Sequence, residues 1–169
     1  MMFRVGIENI DQYLELFKGK KVGLITNPTG ITRNFKATID VLKENAELVA
    51  LYAPEHGVRG DLQAGVRLDT YEDEETGCTV YSLYGKNKKP SYEMLKDIDI
   101  LCFDIQDVGA RYYTFIYTMS HAMMAAKEFG KKFVVFDRPN PVGGVEVEGN
   151  ILDLKFRSFV GYYPIVVRY

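Results

Sequence analysis

Four short runs of the chain are apolar at consecutive positions: Val22 to Thr26, Leu48 to Tyr52, Ile98 to Phe103 and Phe133 to Phe136. Strand-length runs that do not alternate suit strands covered on both faces, as in a parallel sheet between two helical layers. The stretches between them step at helical spacing. Phe35, Ile39, Leu42 and Ala46 share one helix face, as do Phe115, Met119, Ala122, Ala126 and Phe129, with Gly130 as the stop. The Met119 to Met124 cluster reads as helix core. A first helix is predicted over about Ile10 to Phe17, ending at Gly19, and Pro90 with Ser91 opens a short one before Leu95. This alternation predicts an α/β fold, a Rossmann-like, mostly parallel sheet with helices on both faces and right-handed crossovers.

Two segments depart from the pattern. Gly57 to Gly77 is long, polar and glycine-bearing, with acids at Glu72 to Glu75, and is expected to be an active-site or lid loop with little regular structure. Gly143 to Tyr169 suggests short strands and turns and finishes on the aromatic and apolar run Tyr162 to Tyr169. Such a run predicts a covering surface, supplied by a homo-oligomer or by a further domain.

The 169 residues are 47% hydrophobic and 26% charged, close to an ordinary globular domain. With 21 basic and 23 acidic residues the net charge is −2 and the pI about 5.7, so nucleic acid is not an expected partner. No apolar run reaches membrane-spanning length and no secretory signal opens the chain, which points to the cytoplasm and away from a membrane. Cys78, in a polar turn, and Cys102, in an apolar run, are expected to be an incidental and a buried thiol rather than a pair.

In a parallel sheet, function gathers beyond the carboxyl ends of the strands. Those ends deliver Thr26-Asn27-Pro28-Thr29-Gly30, then Ala53 to Gly60, Asp104 to Tyr113 and Asp137 to Gly144, which hold many of the uncommon polar residues and one of only two histidines. No Gly-x-Ser-x-Gly elbow occurs, and no Gly-x-Gly-x-x-Gly follows a strand. A phosphate-binding loop also fails, because Asn87 follows Gly85-Lys86 and Val80 stands where a glycine is required. Asp104 and Asp107 are spaced wrongly for an aspartyl phosphotransferase. A metal held by Glu55, His56, Asp104 and Asp107 is a weaker reading, since one histidine without a spaced partner says little; neither metal nor cofactor is assigned. Acid–base work by carboxylates remains, with cations to hold an anionic ligand, a combination that glycoside hydrolysis needs.

Three blocks, Ala53-Pro54-Glu55-His56-Gly57-Val58-Arg59-Gly60, Phe103 to Thr114 and Asp137-Arg138-Pro139-Asn140-Pro141-Val142-Gly143-Gly144, resemble the signature blocks of the NamZ/YbbC-like exo-β-N-acetylmuramidases of cell-wall recycling. Val22 to Gly30, Val80 to Lys86 and Arg157 to Tyr169 agree in the same order. The resemblance implies that residues 1–169 are a Rossmann-like catalytic N-terminal domain, truncated before a smaller C-terminal one. It also implies release of terminal β-1,4-linked N-acetylmuramic acid from the non-reducing ends of peptidoglycan fragments. A non-catalytic sugar-binding module and a metal-dependent hydrolase of another anionic substrate are the rival readings.

Glu55 is the expected general acid, as the resemblance also implies: a carboxyl in a partly enclosed site has its charged form disfavoured and holds a proton to give away. His56 would orient it or bond a hydroxyl. Asp107, with Asp104 and Asp137 as competitors, would be the second group, serving as nucleophile or base or steadying the substrate's acetamido nitrogen. The lactyl carboxylate of muramic acid calls for a planar cation, with Arg59, Arg111 and Arg138 as candidates. Any one of them could instead pair with Asp104, Asp107 or Asp137; that all three are so engaged is not expected. Asn27, Gln106 and Asn140 would bond hydroxyls, Asp137 is placed with the substrate-binding residues, and Tyr112 or Tyr113 would wall a sugar face.

Overall fold

Strands form where the chain has apolar side chains to offer to both sides, and the computed structural model, which describes residues 3–60, 70–85 and 88–169, places them close to the predicted runs. They are β1 (Lys21–Thr26), β2 (Glu47–Ala53), β3 (Tyr71–Glu72), β4 (Thr79–Ser82), β5 (Ile100–Asp104) and β6 (Lys132–Val135). They lie in the order β3-β4-β2-β1-β5-β6, all parallel except β3, which pairs antiparallel with β4. The parallel part is mostly apolar and fully paired through β1, whose neighbours β2 and β5 lie on either side.

Alternate residues of each strand feed two separate cores. Val22 and Leu24 of β1, Leu51 of β2 and Ile100 and Cys102 of β5 pack with Ile39 and Leu42 of helix α2 (Thr38–Asn45). Phe17, from helix α1 (Leu14–Phe17), joins the same layer, as do Ile7 and Ile10 of the preceding 3-10 helix over Gly6–Gln12. On the other face Ile25, Tyr52, Leu101 and Phe103 meet Leu95 of α3 (Tyr92–Leu95) and Ala122 and Ala125 of α4 (Phe115–Glu128). Burying an aliphatic or aromatic side chain contributes about 1.5–3 kcal/mol, so these two layers hold the sheet. Gly23 is small for a reason: a Cβ there would stand 2.6 Å from the ring of Tyr52, which is held across the sheet by its hydroxyl donating to the Met94 carbonyl at 2.6 Å.

Several expectations need correction. Phe35 is not on a helix face. A turn closes over residues 32–36, with the Phe35 amide donating to the Thr32 carbonyl and the Lys36 carbonyl accepting from Thr32, which leaves Phe35 at φ 62° and 83% exposed; α2 starts only at Thr38. Met123 and Met124 are about half exposed rather than core. The segment read as an unstructured loop contains β3 and leads into β4, whose half-polar alternation hid it; residues 61–69 of that segment, and Lys86 and Asn87, lie outside the described residues. Cys78 is buried like Cys102, its thiol donating to the Leu48 carbonyl, and both are free.

The tail has a short 3-10 helix at Leu154–Phe156 and isolated bridges, where short strands were expected. The run Tyr162 to Tyr169 is substantially covered by this chain itself. Its backbone pairs with Glu148, Gly109 and Arg111, because Arg168 bridges to both Ala110 and Glu148.

Candidate active site

The order of the sheet reverses between β1 and β5, and at the carboxyl ends of these two strands a ligand crevice is the usual outcome. Here that point is closed by a polar interlock. The Thr26 hydroxyl donates to the Asp104 carbonyl at 2.8 Å, and the Asn27 carboxamide oxygen accepts from both the amide and the hydroxyl of Thr29, at 2.9 and 2.6 Å. The Thr29 hydroxyl in turn accepts the Gln106 amide at 2.9 Å. Asp104 is wholly buried and takes a bidentate grip from Arg138, Nε at 2.5 Å and Nη2 at 3.0 Å, with a further hydrogen bond from the Thr38 hydroxyl. Burial pushes the Asp104 carboxyl up, against the pull of Arg138 and Thr38.

Candidate side chains flank this interlock on both sides. On the β2 side, Pro54-Glu55-His56-Gly57 is a turn closed by the Gly57 amide on the Pro54 carbonyl at 3.1 Å, with His56 at φ 74° in the position that type II turns usually give to glycine. Holding a histidine there costs about 1–3 kcal/mol, a strain that concentrates at functional sites. The turn projects Glu55, half-buried, toward two hydroxyls: Thr114 reaches Oε2 at 3.5 Å, and the Tyr84 phenol lies near enough to feel the charge of the same carboxyl. The negative Glu55 beside it pushes the Tyr84 phenol up, so the phenol stays a donor. Thr114 is also the N-cap of α4, whose aligned peptide dipoles favour negative charge at that end.

On the β5–β6 side lies a cavity of about 440 Å³, walled by Phe103, Phe115, Met119 and Val135, with Asp107 and Arg138 among its polar groups. Asp107 accepts the Tyr169 hydroxyl at 3.1 Å and the Gly109 amide at 3.3 Å. Burial, foremost, and the nearby Asp107 push the Tyr169 phenol up.

The four strand-end blocks therefore interlock through the third. Glu55 reaches Thr114, the residue that follows that block, Thr29 reaches the block at Gln106 and Arg138 at Asp104, while the Gln106 carboxamide donates to the Pro139 carbonyl at 2.8 Å. All three arginines have protein partners, but only Arg138 pairs with one of the three aspartates weighed for that role. Arg59 is bidentate on Asp73, at 3.2 and 3.0 Å, and reaches Glu75 at 2.9 Å. Arg111 is buried and donates to the Asn150 and Ile165 carbonyls at 2.8 and 2.6 Å, strapping the tail down. Arg138 is committed to Asp104 and the Ile31 carbonyl. Asn140 likewise holds the tail, donating to the Tyr169 carbonyl at 2.6 Å. His56, Asp137, Tyr112 and Tyr113 are exposed. Tyr84 was not singled out from sequence; its only signal was its place in the block Val80 to Lys86. Among the described residues no three histidine, cysteine or carboxylate side chains gather as a metal site, and the acids of the metal reading fall in separate places.

No described helix is long and apolar enough to cross a membrane. Residues 22–169 match the family model described as exo-β-N-acetylmuramidase NamZ, N-terminal. A peptidoglycan β-N-acetylmuramidase NamZ of Bacillus subtilis (strain 168) is 56% identical over 169 residues, covering 98% of this chain and 41% of that protein. Two crystal structures of DUF1343 family proteins from Bacteroides fragilis NCTC 9343 superpose with TM-scores of 0.89 and 0.81, at 52% and 39% identity. They cover 98% and 97% of this chain and 42% of each of theirs, so the chain spans about two-fifths of the length of these relatives. On that match the chain belongs to the exo-β-N-acetylmuramidase NamZ family, corresponding to its N-terminal part.

Proposed function

We propose that this chain supplies the Rossmann-like part of an exo-acting glycoside hydrolase that frees terminal β-1,4-linked N-acetylmuramic acid from the non-reducing ends of peptidoglycan fragments, in cytoplasmic cell-wall recycling. The observation that carries the reading is the placement of Glu55: a carboxyl on a strained turn at a strand end, faced by two hydroxyls and the N-terminus of α4. The name of the Bacillus subtilis relative supports it.

In this reading Glu55 gives its proton to the leaving glycosidic oxygen, and the carboxylate left behind is received by the Thr114 and Tyr84 hydroxyls and the α4 dipole. His56 stands next to it on the exposed side of the turn. Asp107 is the better second group, because it opens on a cavity while Asp104 is sealed with Arg138. Asp107 then acts as base or nucleophile, or steadies the acetamido nitrogen. Tyr112 and Tyr113 offer exposed ring faces to the sugar. Asn27, Gln106 and Asn140 act chiefly by holding these loops, their carboxamides being engaged within the protein.

Glu55→Gln keeps the shape and removes the transferable proton. Release of a chromogenic β-N-acetylmuramide is expected to fall by about 10²–10⁴-fold, with the circular dichroism spectrum unchanged. Undiminished turnover rejects the role, and calorimetric binding by the unaltered protein without any release favours a sugar-binding module instead.

A further inference from the structure

One face of α4 carries two features seven residues apart. Thr114, which touches Glu55, is followed at helical spacing by Thr118 and His121, and all three lie on the same side. At 1.5 Å per residue His121 stands about 10 Å further along the helix. After β4 the chain places Tyr84 beside Glu55, and Lys88 and Lys89 near His121. The helix thus connects the candidate acid to a second cavity, of about 310 Å³.

That cavity is built of cations in a protein whose net charge is −2. The Lys88 ammonium lies over the Phe159 ring at 4.4 Å. The Arg157 guanidinium stacks on Tyr162 at 4.1 Å and donates through Nε to the Tyr162 carbonyl, leaving its terminal amines without a partner among the described residues. Lys89 is paired with Glu128, the only acid joined to the group among the described residues. The floor is His121, 9% exposed, its ring edge-on to Tyr162 at 4.9 Å and its Nδ1 buried with no hydrogen-bond partner. Leaving a buried polar atom without a partner is costly, and proteins satisfy nearly all of them. Burial first, then Lys88 and Lys89, hold the imidazole below its ordinary value, so without a ligand it stays neutral among cations.

Each of these costs is relieved by the same kind of group. An oxyanion offers acceptors to the Arg157 amines and the Lys88 ammonium, and it allows His121 to take up a proton and donate. We propose that this cavity is an anion subsite of the candidate active site, receiving a carboxylate or phosphate oxyanion that the ligand carries about two helical turns from the bond addressed by Glu55. The inference rests on the glycosidase reading for its substrate: because the released sugar keeps its own lactyl carboxyl free, the groups that meet this description are the stem-peptide carboxylates on the next muramyl residue of the fragment.

The test has two arms, both on the full chain. With inorganic phosphate as probe, the His121 imidazole resonance, distinguished from that of His56 by His121→Gln, is followed through a pH titration. Its midpoint is expected to move upward saturably with phosphate, and the Lys88→Gln, Arg157→Gln double variant is expected to lose the movement. An unmoved midpoint overturns the subsite. In the second arm Glu55→Gln protein, which binds without turnover, is titrated with a peptidoglycan tetrasaccharide that begins with unsubstituted N-acetylmuramic acid and carries a stem peptide on its second muramyl residue, and with the same tetrasaccharide lacking the peptide. The peptide-bearing fragment is expected to bind about tenfold more tightly, one charge-assisted contact, and the double variant to erase the preference. Phosphate binding without that preference overturns the assignment to the substrate. If neither tetrasaccharide binds while phosphate still moves His121, the glycosidase reading falls and the oxyanion site stands.

Discussion

Arg138→Met tests the interlock at the centre of the sheet edge. Methionine keeps most of the packing of the arginine stem and removes the guanidinium that grips both Asp104 oxygens and donates to the Ile31 carbonyl at 2.9 Å. Arg138 and Asp104 side chains are only 7% and 0% exposed, so water does not replace the lost partner. Removing one member of such a buried pair costs about 3–5 kcal/mol, and the orphaned Ile31 carbonyl adds about 1 kcal/mol. Against a typical total of about 5–15 kcal/mol, the variant folds with much of its margin gone. The chain has no tryptophan and 12 tyrosines, so urea unfolding is followed by circular dichroism and tyrosine emission. With a slope of about 2 kcal/mol per molar urea, the midpoint is expected to drop by about 2–3 M. The sign with pH is also fixed. Asp104 is already raised by burial, and losing Arg138 raises it further, so its folded form binds a proton more readily than its unfolded form. The loss is therefore greatest above the raised folded value and shrinks as the pH falls through it toward the ordinary 3.8. Adding Asp104→Leu to Arg138→Met is expected to recover much of the stability, because no uncompensated charge then remains. A midpoint shift below about 0.5 M in the single variant, or a double variant worse than the single, refutes the reasoning.

Glu8 predicts an acid limb of opposite sign. The Arg33 side chain and amide hold its carboxyl down from 4.5 to about 2, so its contribution is complete above 4.5 and is lost as the pH falls through about 2. Glu8→Gln should flatten that limb in an acid-unfolding series, and an unchanged limb counts against it. Gly23→Ala should destabilise by about 1–3 kcal/mol through overpacking against the Tyr52 ring, read as a urea midpoint, and a neutral result would mean that the ring is not held as described. Tyr84→Phe should lower kcat on the chromogenic muramide about tenfold with a smaller effect on KM, since it deletes a donor that matters most once Glu55 has lost its proton; an equal loss through KM alone contradicts this.

The parallel sheet was legible because β1, β2 and β5 are covered on both sides, and burial on two faces writes an unbroken apolar run. β4 was not, since its burial alternates and Thr79 and Ser82 disguise it. Phe35 shows a further limit: helical spacing extends a periodic pattern backward past a turn whose geometry depends on backbone bonds between Thr32 and Lys36. The convergence of the strand-end blocks followed from topology alone. The occupation of the arginines did not, because Arg59 finds Asp73 and Arg111 finds the carbonyls of Asn150 and Ile165, partners that local pattern does not point to. Tyr84 and His121 were hidden for the same reason. Tyr84 sits within the block Val80 to Lys86 and His121 in no motif, and each gains its meaning from what another segment places beside it.

The strapping of the tail onto the third block makes distant pieces of chain one cooperative unit. The Arg111 amide donates to the Val167 carbonyl, the Tyr169 amide to the Gly109 carbonyl and the Glu148 amide to the Arg168 carbonyl, so none of the three can open alone. Their amide protons should exchange with deuterated solvent at a common opening free energy, distinct from that of β1, and the loop that carries Asp107 will be ordered only for as long as the far end of the chain stays in its seat.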